Sequence, residues 1–310
     1  MADLLRPAAP TTAPARLRAL LAGGQPVLAP GAYDALSARL IEQAGFDCAY
    51  MTGFGTTASL LGRPDVGLLG GAEMADNVRR IVQAIDLPLV ADADTGYGNA
   101  INVVRTVQLY EQAGVAGLHL EDQILPKRCG HMDGKLVVPT DEMVGKLQAA
   151  VEARRDPDLV IIARTDARAM EGLDAALARG RAYREAGADL LFVEALESAE
   201  EIEIVATELA DVGLVFNWAE GGKTPPLSYE RMAELGYALV LMPISTLLAA
   251  TRAMQTALAE IRRAGSPATI LDDLPTFDEF LETIGLPEVR RLEERFGLPV
   301  PVQPRTTKPR

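Results

Sequence analysis

The sequence predicts an α/β fold, a (β/α)8 TIM barrel with extra C-terminal helices, and three observations predict it. Short apolar runs alternate with longer helical patterns about eight times along the 310 residues, which is the rhythm of stacked βα units. Most of these runs stay apolar until their last few residues, as parallel strands covered on both faces do. Several helical stretches end in glycine just before the next run, at Gly45, Gly114, Gly187 and Gly236, where a left-handed C-cap fits. An open doubly wound sheet is the alternative, but no Gly-x-Gly-x-x-Gly follows the first run.

The elements follow in order. Residues 1–13 read as a loose arm; the opening 24 residues contain Asp3 and three prolines, so they lack the apolar core of a secretion signal. A helix is expected near Ala15 to Ala22. Strands are expected at PVLAP (26–30), CAYMTG (48–53), PLVADAD (88–94), GLHLED (117–122), LVIIART (159–165), LLFVEA (190–195), LVFNW (214–218) and ALVLMP (238–243). Between them EMADNVRRIVQAI, INVVRTVQLYEQAG and GLDAALARGRAYREAG place apolar residues three and four apart, as helices require. Beyond residue 250, RAMQTALAEIRRAG and FDEFLETIGLPEVRRLEERFG supply more helix than a closed barrel needs, enough to cover the barrel or a neighbouring subunit. One domain over 14–300 is expected, followed by a disordered tail, 301–310, with three prolines and three cations.

Composition narrows the function classes. The formal charge of −13 and pI near 4.7 repel polyphosphate and anionic membrane surfaces, which argues against nucleic acid as a partner. No apolar run reaches the roughly 18 to 20 residues of a membrane helix. Two cysteines, Cys48 and Cys129, are too few for a disulfide framework and fit a reducing cytoplasm.

In a parallel barrel the chemistry gathers at the C-terminal ends of the strands. Those ends carry Thr52 and Gly53, Asp92 and Asp94, Glu121 and Asp122, Arg164 and Asp166, Glu194, Asn217, and Ser245 just past the eighth strand. Asp92 and Asp94, two apart on a strand, should point the same way, and paired carboxylates with room for water suit Mg2+ or Mn2+. Glu121 could hold a metal-bound water; the alternative is that the two aspartates merely cap the next helix. Arg164, after five apolar residues, needs an anion, either a substrate carboxylate gripped by its fork or an internal partner, Asp166 or Glu194.

Residues 122–136 show no periodicity, which is long for a βα loop and suggests a lid. Cys129 sits in its middle with Lys127, Arg128 and His131 around it, and cationic neighbours lower a thiol's pKa. The reading places Cys129, Lys127 and His131 in a catalytic set, with Gly130 on the substrate; an incidental thiol is the alternative. His119 lies within an apolar strand and is either an orienting core residue or a catalytic one. Cys48 reads as a buried hydrophobe.

The stretches EDQILPKRCGH, ADADTGYG, GLHLED, IARTDA, FVEA, NWAEGGKTP and TGFGTTASLLGRPD resemble the isocitrate lyase and phosphoenolpyruvate mutase superfamily. The likeness is nearest to its short-chain lyase branch, which holds the methylisocitrate and 2,3-dimethylmalate lyases and the petal death protein. It runs from about Gly31 to Gly297, and KRCGH is specific to the lyase branch. The resemblance implies a barrel whose last helix is exchanged with a neighbour, a homotetramer built from dimers, and a Mg2+-dependent retro-aldol cleavage of a 2-hydroxy carboxylate. It implies Asp92 and Asp94 at the metal, Glu121 and Asp65 acting through water, and Cys129 on a gating loop as the acid that protonates the departing enediolate. It further implies Thr52, Gly53 and Phe54 at the α-keto acid end, Arg164, Glu194 and Asn217 on the substrate, and Tyr50 taking the hydroxyl proton.

Two departures bear on the substrate. The methylisocitrate branch has an arginine where this chain has Leu248, and Ser-Gly-Gly where it has Thr52-Gly53-Phe54. Unless Arg252 substitutes, a third carboxylate lacks a partner, which favours a small dicarboxylate such as a 2-alkylmalate or 2,3-dimethylmalate. Methylisocitrate, oxaloacetate cleaved hydrolytically or by decarboxylation, and a non-catalytic binding barrel are the alternatives.

Overall fold

The computed structural model describes residues 4–5, 11–130, 132 and 134–297. Eight parallel strands close a barrel in chain order: β1 Val27–Ala32, β2 Ala49–Met51, β3 Leu89–Asp92, β4 Gly117–Glu121, β5 Val160–Thr165, β6 Leu190–Val193, β7 Gly213–Asn217 and β8 Tyr237–Met242. The helices are α1 Ala13–Leu21, α2 Ala35–Gln43, α3 Gly53–Leu61, α4 Gly71–Ala84, α5 Ala100–Ala113, α6 Thr140–Ala153, α7 Arg168–Glu171, α8 Leu173–Glu185, α9 Ala199–Glu208, α10 Tyr229–Glu234, α11 Ser245–Ala264, α12 Phe277–Thr283 and α13 Leu286–Arg295. All eight expected strands are present with ends shifted by one or two residues, and Gly45, Gly114, Gly187 and Gly236 each have positive φ at a helix end. The arm's residues 1–3 and 6–10 and the tail expected at 301–310 lie outside the described residues. Among the described residues no helix is long and apolar enough to cross a membrane.

Strand periodicity of two sorts side chains into two cores. Met51, Ala91, Leu118, Leu120, Ile161, Ala163, Leu191 and Phe216 face outward and pack with the helices. Val27, Ala29, Tyr50, Val90, Val160, Ile162, Leu190, Phe192, Val215, Leu239 and Leu241 face inward and fill the barrel. Helix α1 closes the bottom: Leu17, fully buried, belongs to the inner core and stands against Gly117 at the start of β4. The same parity carries upward, so the last inward residues of several strands are polar and meet at the top.

Closure is tight where β1 pairs with β8, Val27 opposite Leu239 and Pro30 opposite Met242. A Cβ on Gly31 would lie 2.1 Å from the carbonyl oxygen of Pro243, so the seam needs a residue without a side chain. Gly31→Ala should therefore cost about 1–3 kcal/mol by overpacking, lowering Tm by about 2–4 °C per kcal/mol. Calorimetry that found an unchanged Tm would contradict this seam.

Candidate active site

The top of the barrel holds a cavity of about 230 Å3, lined by Tyr50, Thr52 and Phe54 on one side, Asp92 and Glu121 at the floor, and Cys129 above, among others. It is smaller than the roughly 300–1,000 Å3 typical of pockets for drug-sized ligands. Asp92, Glu121, Arg164, Glu194 and Asn217 arrive on β3 to β7, at the strand ends where the sequence predicted them.

One expectation is corrected. β3 ends at Asp92, and Asp94 lies beyond it with φ 48°, so the two aspartates do not share a strand face. Asp94 donates its N–H to Asp92 Oδ1 at 2.9 Å, while its carboxylate turns to Lys127, itself on the cavity lining. Lys127 Nζ stands 2.6 Å from both Asp94 Oδ1 and Asp65 Oδ2. The ammonium therefore serves the carboxylates rather than merely flanking the thiol. Gly53, at the start of α3, makes room for Asp92: a Cβ there would lie 2.4 Å from Asp92 Oδ2.

Arg164 has the internal partners the sequence left open. Its Nε and Nη2 bond Asp166 at 2.9 and 3.1 Å, Nη2 reaches Glu194 at 3.2 Å, and Nε lies 3.4 Å from Glu121. The guanidinium also sits 5.1 Å over the Phe192 ring, a stacking that fixes its plane. Glu194 accepts in addition from Asn217 Nδ2 at 3.1 Å.

Tyr50 and His119 share a hydrogen bond of 2.9 Å through the hydroxyl and Nε2. Burial pushes the His119 imidazole down to about 4, keeping it neutral at pH 7, and pushes the Tyr50 phenol well above its usual value. Tyr50 is thus protonated as it stands.

The loop after β4 is built from its base. Ile124 N–H donates to Leu136 O at 2.8 Å, and the Gln123 side chain binds the backbone of Arg128 through both its oxygen and nitrogen. Cys129 N–H donates to Asp65 O at 3.2 Å, which seats the thiol over the cavity. Gly130 approaches so closely that a Cβ would lie 2.4 Å from Arg164 Nη2. His131 lies outside the described residues. The sequence reading missed Lys135, whose buried ammonium bonds Gly130 O and Asp166 Oδ1; its only signal was a third cation in an aperiodic stretch. It also missed Glu220, on the cavity wall with its carboxylate bonded by Ser245. Leu248 is 46% exposed, and neither it nor Arg252 lines the cavity.

Six buried carboxylates, Asp65, Asp92, Asp94, Glu121, Asp166 and Glu194, meet three buried cations, Lys127, Lys135 and Arg164. Such an excess is costly in a low-dielectric interior. Burial, reinforced by Asp92 and Asp65 against Lys127, lifts Asp94 to about 6; burial above all lifts Glu121 well above its usual value, and Glu121 Oε1 has no hydrogen-bond partner. Both shifts favour the protonated carboxyl, and a cation held there would favour the ionised one. Among the described residues no three His, Cys, Asp or Glu groups close a cage around an ion. The donors instead suit Mg2+, which binds through one or two carboxylates and keeps several waters.

The family model described as phosphoenolpyruvate phosphomutase matches residues 17–262. The chain is 46% identical over 283 residues to the 2,3-dimethylmalate lyase of Eubacterium barkeri, covering 91% of this chain and 98% of that protein. It is 47% identical over 255 residues to a probable 2-methylisocitrate lyase of Corynebacterium glutamicum, covering 82% and 83%. Among solved structures it is similar to oxaloacetate acetylhydrolase bound to 3,3-difluorooxalacetate (TM-score 0.88, 39% identity, 93% and 98% covered). It is also similar to phosphonopyruvate hydrolase with oxalate and Mg2+ (TM-score 0.84, 34% identity, 92% and 99% covered).

The two thiols differ sharply. Cys48 is fully buried and burial raises it to about 12, while Cys129 is partly exposed. Because the thiolate is the nucleophile, iodoacetamide at pH 8 should place one label on each native chain, at Cys129, and a second only after denaturation. Two labels on the native protein, read by mass spectrometry, would contradict the packing of β2.

Proposed function

The chain belongs to the phosphoenolpyruvate phosphomutase family, and from that premise we propose that it is a Mg2+-dependent carbon-carbon lyase. Its substrate is a small 2-hydroxy dicarboxylate of the 2-alkylmalate or 2,3-dimethylmalate type, cleaved by retro-aldol chemistry to an α-keto acid and a carboxylic acid. The observation that carries the reading is the position of Cys129, which lines the same cavity as Asp92 and Glu121. The KRCGH motif that carries Cys129 is specific to the lyase branch, which places the decarboxylase second, and a non-catalytic barrel has no use for the buried carboxylates.

Asp92, whose carboxylate lines the cavity, would hold the metal directly, with Glu121, Asp65 and Asp94, the last turned to Lys127, acting through water. Bound there, Mg2+ supplies positive charge that lowers the energy of the deprotonated substrate hydroxyl and of its carboxylate. The Nη1 side of Arg164 takes a substrate carboxylate, with Glu194, itself held by Asn217, keeping the guanidinium in place. Thr52, Gly53 and Phe54 border the keto-acid end, and Gly130 lies over the substrate. Tyr50 takes the hydroxyl proton as it passes its own to His119 Nε2, 2.9 Å away. The C2–C3 bond breaks, the electron pair moves into the departing carboxylate as an enediolate, and the Cys129 thiol protonates that carbon. Lys127 supplies positive charge on the thiol's loop.

Substrate size follows from the wall. On the side of Pro243 and Ile244 the lining carries Glu220, Gly221 and Gly222, so a third carboxylate there would meet Glu220, which disfavours methylisocitrate; Arg128, which also lines the cavity, stands on the loop after β4. Oxaloacetate remains the second reading because it fits the volume and the likeness to the acetylhydrolase. Two reduced cysteines suit a cytoplasmic setting.

The C-terminal arm supports a homotetramer built from helix-swapped dimers. α11 buries no residue, and Met254, Leu258, Leu271, Phe277 and Phe280 are exposed, an apolar stretch that a second copy would cover. Light scattering should give four chains per particle; a monomer at micromolar concentration would refute the swap.

Incubation with Mg2+ and, separately, 2,3-dimethylmalate, 2-alkylmalates, methylisocitrate and oxaloacetate, followed by proton NMR, should yield a keto acid plus a saturated acid from one of the first two. Exhaustive chelation should abolish this, and Cys129→Ser should lower kcat by at least about 100-fold. Only carbon dioxide and pyruvate from oxaloacetate would overturn the lyase reading.

A further inference from the structure

The turn after β3 is unusually strained. Of the three non-glycine residues with positive φ among the described residues, two lie here, Asp94 at 48° and Tyr97 at 60°, with Gly96 at 80° and Gly98 at 149° beside them. For a non-glycine residue such a conformation is unfavourable and persists only where the surroundings over-determine it.

The surroundings do so from two helices. The Tyr97 ring occupies a slot left by Gly71 of α4, where a Cβ would lie 2.7 Å from the ring. The Tyr97 and Tyr110 hydroxyls are 3.0 Å apart, and Tyr110, fully buried on α5, donates to the Asp92 carbonyl at 2.9 Å. A phenol has one hydrogen and a carbonyl only accepts, so Tyr97 is the donor to Tyr110. Two further donors act alongside: the Thr106 hydroxyl on Gly96 O at 3.0 Å and the Lys146 ammonium on Thr95 O at 3.4 Å. The carbonyls of residues 92, 95 and 96 are all drawn outward to α5 and α6. The carboxylates of Asp92 and Asp94 remain on the inward side, one on the cavity and one on Lys127.

We propose that Tyr110, backed by Tyr97, is a positioning residue for the acidic pair, fixing the backbone at Asp92 and so setting the affinity of the site for a divalent cation. The inference rests on the metal site proposed above. Neither hydroxyl touches the cavity, and removing either changes no charge, so any loss reports geometry alone. Partners that orient metal ligands from behind typically contribute roughly 10- to 100-fold in affinity.

The test uses the full-length protein stripped of metal. Mn2+ is titrated and its free form followed by electron paramagnetic resonance, for the unaltered chain, Tyr110→Phe, Tyr97→Phe and Tyr237→Phe. Tyr237, whose hydroxyl donates to Ile202 O far from the mouth, controls for loss of any buried tyrosine hydroxyl. The expected result is a Kd raised roughly 10- to 100-fold by Tyr110→Phe, less by Tyr97→Phe and not at all by Tyr237→Phe, with turnover of Tyr110→Phe restored at saturating Mg2+. Should Tyr110→Phe fail to fold, Tyr97→Phe, half-buried, carries the same test. Equal Kd values for the unaltered chain and both variants, or an equal loss in Tyr237→Phe, would overturn the inference while leaving the metal site standing. No Mn2+ binding by the unaltered chain would instead remove the metal site itself.

Discussion

Lys127 reaches from the loop after β4 into carboxylates contributed by two other segments, the loop after α3 and the turn after β3, and the arrangement of the mouth depends on that contact. Its ammonium lies 2.6 Å from Asp65 and from Asp94, and Asp94, Asp92 and Glu121 raise its affinity for the proton well above normal although burial works the other way. Breaking a buried pair by removing one partner leaves an uncompensated charge, which typically costs about 3–5 kcal/mol. Three chain segments far apart in sequence are therefore held together by one cation. The loop carrying Cys129 is anchored through the same group that neutralises the acids.

A second set of charges ties that loop to the opposite wall. Lys135 bonds both the Gly130 carbonyl and Asp166, and Asp166 holds Arg164 by two hydrogen bonds. Arg164 and Lys135 together keep Asp166 well below the usual carboxylate range in spite of its burial. The guanidinium that would meet a substrate carboxylate is thus positioned by the residue that also fastens the thiol's loop. Placement of the loop and placement of the arginine are mechanically one problem, which is how a rigid scaffold positions a long loop.

The barrel beneath supplies stiffness. Inward-facing apolar residues fill its interior, Leu17 closes the bottom, and Gly31 lets the seam between β1 and β8 close. Backbone strain at Asp94 and Tyr97 can be stored at the top because α5 and α6 grip the turn from outside. Close-packed interiors deform little, so carboxylates set on such a base hold their spacing against mutual repulsion.

Much of this was legible in the residues. Eight apolar runs with glycine-capped helices between them specified the barrel, because strand and helix periodicities are local properties. The convergence of Asp92, Glu121, Arg164, Glu194 and Asn217 followed from the rule that parallel strands all end on one side. The aperiodic stretch around Cys129 marked the loop, and the KRCGH motif carried the family likeness. What local pattern could not provide were relations between distant residues. Asp94 stands past the end of β3, in a turn whose carbonyls are held by Tyr110, Thr106 and Lys146. Lys127 turns toward carboxylates rather than only flanking the thiol, and Arg164 spends its Nε and Nη2 on Asp166 and Glu194. Leu248 falls outside the cavity. Each of these depends on which side chains meet across the mouth once the barrel has closed, a matter of three-dimensional distance that hydrophobic periodicity does not encode.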